Sequence, residues 1–76
     1  MPMGSQFVSE LRRGIGEAQD AAVAATEAGH PYEAYLHRAR LAELLRLAGQ
    51  HDVDTSALVL PTVRAALDDD QSALGR

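Results

Sequence analysis

The sequence predicts an all-α domain, an antiparallel helical hairpin over about 5–28 and 31–48 with a shorter third helix over about 55–68. Three observations carry this reading. Apolar residues recur at alternating steps of three and four from Phe7 to Ala25. The Gly29-His30-Pro31 turn separates that stretch from a second one, and the cap-type residues Asp52, Asp54, Thr55 and Ser56 precede a third.

In the first element, Phe7, Val8, Leu11, Ile15, Ala18, Ala22 and Ala25 form one seam, while Glu10, Arg13, Glu17, Asp20 and Glu27 occupy the other side. The stretch Ala21 to Ala28 is nearly all alanine, which favours the helix but offers little bulk, so a neighbouring helix can approach closely. Gly14 lies on the seam side and Gly16 does not; close backbone approach at Gly14 competes there with neutral drift.

Gly29 suits a left-handed residue after a helix, and Pro31 suits the first turn of the next, where its missing N–H has no partner to lose. So short a turn makes the two helices antiparallel neighbours. Counting outward from it sets Ala25 level with Tyr35, Ala18 with Ala42 and Ile15 with Leu45.

The second helix is expected to end at Gly49. Its main face is Ala34, Leu41, Leu44, Leu45 and Ala48, with Leu36 and Leu47 on a different side, bordered by Tyr32 and mixed with Glu33, Arg40 and Glu43. Two apolar stripes need two covers, either the third helix or another molecule.

The third helix would face the core with Val59, Leu60, Val63, Ala66 and Leu67. Pro61 predicts a kink, or a short turn with the helix restarting there. Asp68, Asp69 and Asp70 oppose the macrodipole at a helix C-terminus, so the helix is expected to end near Leu67 to Asp69.

With 76 residues the chain is read as a single domain, 1–76, with 1–4 and 70–76 flexible. A domain this small buries only about 60% of its unfolded surface. There is no cysteine for a disulfide, and the imidazoles are His30, His37 and His51, so oligomerisation is the remaining staple. Dimerisation into a helical bundle would supply it.

Net charge −4, no lysine and scattered arginines argue against nucleic acid as a partner. No run of about 20 apolar residues is available to cross a membrane, and Met1 to Ser5 lacks a signal-type pattern, so the expected location is cytoplasmic. The excess of Ala, Leu and Arg over Lys suggests a bacterial source.

Glu33 and His37, one turn apart with His30 nearby, are the best metal candidates, but two ligands on a helix surface make an ordinary pair; no metal or other cofactor is expected. No nucleophile, base and carboxylate occur in a recognisable order, and no glycine loop joins a strand to a helix. The chain is therefore not expected to be an enzyme.

The segment Ala18 to Leu41, with Ala21, Ala22, Ala25, Gly29, Tyr32 and Ala34, resembles one tetratricopeptide helix-turn-helix unit. The resemblance covers about a third of the chain and implies the hairpin. Helix one is longer than that unit's, the proline shifts the tyrosine, and no second copy follows.

The function expected is protein–protein interaction or oligomerisation, with Tyr32, Tyr35, Leu36 and Leu47 as partner-binding residues and the chain itself or another protein as partner. The alternative is a small acidic regulatory protein, of antitoxin or adaptor type, that binds and modulates a larger target through its negative surface.

Overall fold

A computed structural model describes residues 3–74 as three helices, α1 Met3–Glu27, α2 Pro31–Gln50 and α3 Pro61–Leu74, with no strand among them. The helices α1 and α2 pack extensively on each other, and α3 holds α2 more lightly. Met1, Pro2, Gly75 and Arg76, parts of the ends expected to be flexible, lie outside the described residues.

The core follows the predicted seam. Leu11, Ile15, Ala18, Ala22 and Ala25 of α1 are buried against Ala34, Leu41 and Ala48 of α2, and Ile15 and Leu41 are fully enclosed. The buried α2 positions recur every seven residues, the repeat that keeps one narrow stripe facing a neighbouring helix. Val8 is partly covered, while Phe7 at the open end is 38% exposed and leans on His51, their ring centroids 4.8 Å apart.

A Schellman motif closes α1. The N–H of His30 donates to Ala25 O at 2.9 Å and that of Gly29 to Thr26 O at 3.1 Å, with Gly29 at φ 77°. Pro31 opens α2, and Ala34 N–H donates to His30 O at 2.9 Å.

The same motif closes α2, three residues beyond the expected glycine. Val53 N–H donates to Ala48 O at 2.9 Å and Asp52 N–H to Gly49 O at 3.3 Å, so the left-handed residue is Asp52, at φ 57°. Val53 then packs on the core that Ala48 enters. That contact draws the chain inward and explains why the helix runs past Gly49.

Residues 51–60 form a non-helical connection, so α3 starts at Pro61, later than the cap residues suggested. Asp54 Oδ1 accepts from the Ser56 N–H at 3.0 Å and the Ser56 hydroxyl at 2.8 Å, a local turn that engages the cap chemistry before any helix begins. Of the two outcomes foreseen at Pro61 the restart occurs: proline takes the first helical position, where its lost N–H is harmless. Val63 and Leu67, one turn apart, are buried; Val59 and Ala66 are half-buried and Leu60 is exposed.

Candidate interaction surfaces

Two polar contacts position α3, and both shape the surfaces beside it. Gln19 is only 7% exposed, four residues after Ile15 and three before Ala22. Its Nε2 donates to Leu58 O at 3.0 Å, and its Oε1 accepts from Leu60 N–H at 2.9 Å. One amide thus satisfies a donor and an acceptor of a connection that has no ladder of its own. The second contact is Arg38 with Asp70, where Nε donates to Oδ2 at 2.7 Å and Nη2 to Oδ1 at 3.1 Å. Both side chains are about four-fifths covered, at 18% and 20% exposure. The hydrogen bond from Arg38 to Asp70 raises the guanidinium pKa against the opposing effect of burial.

This pair accounts for the length of α3. The helix continues to Leu74 although Asp68, Asp69 and Asp70 lie in its last turns, because a guanidinium from α2 neutralises one of the three carboxylates.

Beside the Arg38–Asp70 pair lies an open groove of about 260 Å³, walled by Ala22, Val23, Thr26 and Glu27 of α1 and by Thr62, Val63 and Ala66 of α3, with Arg38 reaching in from α2. Its origin is the alanine-rich half of α1 facing small residues of α3. Ala25 and Ala34 are buried in the hairpin, whereas beside α3 the same lack of bulk leaves a trough.

The four residues expected to bind a partner separate into two groups. Tyr32 and Leu36, one turn apart on α2, are 71% and 47% exposed. Tyr35 is half-buried, and Leu47 is half-buried against the core cluster. The second stripe of α2 is therefore covered at its C-terminal end from within the chain and open at its N-terminal end. Gly14 does lie in the hairpin contact, since a methyl group there would sit 3.5 Å from Leu44 Cδ1, an ordinary distance.

The exposed side of α2 is balanced in charge. Glu43 and Arg46 make a bidentate surface pair at 3.2 and 2.8 Å, which lowers the carboxyl pKa and raises the guanidinium's. Glu33 Oε1 stands 3.4 Å from His30 Nδ1 across the turn. No three His, Asp or Glu side chains converge on a common point among the described residues, and none of the helices described is long and apolar enough to cross a membrane.

Compared with protein-family models, with curated proteins and with solved structures, the chain matches none of them.

Proposed function

We propose that this protein is a small non-catalytic interaction module that self-associates through the outer face of α2. The observation that carries the reading is the exposure of Tyr32 and Leu36 on one turn of a face whose charges cancel. An exposed leucine alone is ordinary. Here it adjoins an exposed tyrosine and Ala39, with Glu33, Arg40, Glu43 and Arg46 around them. Two positive and two negative groups sum to zero in a chain whose net charge is −4, so the excess negative charge lies elsewhere.

Such a face suits a two-fold interface, in which one patch meets its own copy. With two α2 helices antiparallel and centred near Ala39 and Arg40, Glu33 stands opposite Arg46 of the second copy and Leu36 near the stem of its Glu43. Arginine is well fitted to such a contact because its planar fork can leave Glu43 for another carboxylate at little cost.

Light scattering across the micromolar range tests this with Leu36→Glu and Tyr32→Ser. Both residues are exposed, so each variant keeps the wild-type helical circular dichroism while its mass falls to that of one chain. A variant that folds and retains the wild-type assembly contradicts the proposal. Leu47→Glu is no substitute, because Leu47 packs on the core and its loss unfolds as well as separates.

A further inference from the structure

We infer that the groove between α1 and α3 is a docking site for a basic amphipathic helix of another protein. Its walls are small and apolar, from Ala22, Val23, Val63 and Ala66, and fit a ridge of alanine and leucine side chains. Its rim is acidic. Glu27 lines it directly, Asp20 lies on the same row of α1 three residues before Val23, and Asp69 continues the α3 row set by Thr62 and Ala66. The cation that reaches in, Arg38, is held by Asp70, and Asp20, Glu27 and Asp69 make no ion pair among the described residues.

Charge decides between possible occupants. A second copy of this chain brings the same net charge of −4 and sets acid against acid at this rim. A helix flanked by lysine or arginine meets Glu27 on the α1 wall and Asp20 and Asp69 beyond the two walls. This inference is independent of self-association through α2, since Tyr32 and Leu36 project more than about 100° around that helix from Arg38.

The probe is an end-capped peptide of alanine, leucine and lysine heptads, titrated into the uniformly 15N-labelled full chain, beside a control peptide with glutamate for lysine. The lysine peptide is expected to shift the amides of Val23, Thr26, Glu27, Val63 and Ala66, and the glutamate peptide to leave them unmoved. Thr62→Arg and Glu27→Lys, both at exposed positions, should each weaken binding about tenfold or more. Unmoved groove amides, equal binding of the two peptides, or undiminished affinity in both variants overturns the inference. Shifts confined to Tyr32 and Leu36 overturn it too, while leaving the α2 face intact as an interface.

Discussion

Gln19 is the residue on which the most depends for its size. A buried side-chain amide whose two ends both bond backbone cannot be replaced without stranding a carbonyl or an N–H. Gln19→Ala is expected to destabilise by about 1–3 kcal/mol. Hydrogen exchange should locate the loss, with Leu60 N–H protection falling first. The signal for Gln19 was present in the sequence, since its spacing from Ile15 and Ala22 puts it on the buried side of α1. What no local pattern shows is its partner, 39 residues away.

Asp52 and Gly49 make a complementary pair of predictions. Asp52 holds the left-handed conformation that glycine adopts without strain, whereas Gly49 lies inside α2 with nothing within 4 Å of an added methyl group. Asp52→Gly should stabilise by about 0.5 kcal/mol, and Gly49→Ala by about 0.5–1 kcal/mol. Thermal melts of the two variants check both signs. Asp54 adds a pH dependence. Its carboxyl pKa is depressed, first by the Ser56 N–H and then by the Ser56 hydroxyl. The stabilisation is therefore present above the unfolded value, about 3.9, and lost as pH falls through the lower folded one. Asp54→Asn should be less stable than wild type at neutral pH, and the difference should vanish in strong acid.

Among the elements, α1 and the turn were the most legible in the sequence, because their signals are local: a three-four seam, one glycine and one proline. The boundaries of α2 and α3 were less so. Gly49 reads as a stop, but the stop is made three residues further on, at Asp52, with Val53 in contact with the core. Asp52, Asp54, Thr55 and Ser56 read as helix caps, yet Asp54 and Ser56 bond each other. The end of α3 depends on Arg38, 32 residues back. A double-mutant cycle of Arg38→Ala and Asp70→Ala should return a coupling of about 1 kcal/mol, above that of a fully exposed pair. The last turns of α3 should fray in either single variant, read as loss of amide protection after Asp70.

At the scale of the whole molecule the fold is a thin plate, 44 × 28 × 18 Å, with a radius of gyration of 13.0 Å. A compact domain of this length is expected near ~11.4 Å. A plate has room for one core layer, shared by α1, α2 and the Val63–Leu67 edge of α3, and leaves the backs of its helices bare. The candidate surfaces are consequences of that shape: the back of α2 with Tyr32 and Leu36, and the trough where α3 departs from α1. The separate stripe of Leu36 and Leu47 was legible from their angle on α2, but that Leu47 packs on the core while Leu36 stays exposed depends on tertiary packing that no local pattern shows.

Self-association through α2 is the central claim, and it is most directly tested by sedimentation equilibrium of the wild-type chain at several loading concentrations. The predicted result is a mass that rises with concentration from 8.1 kDa towards twice that value. A mass that stays at one chain throughout the micromolar range would contradict it.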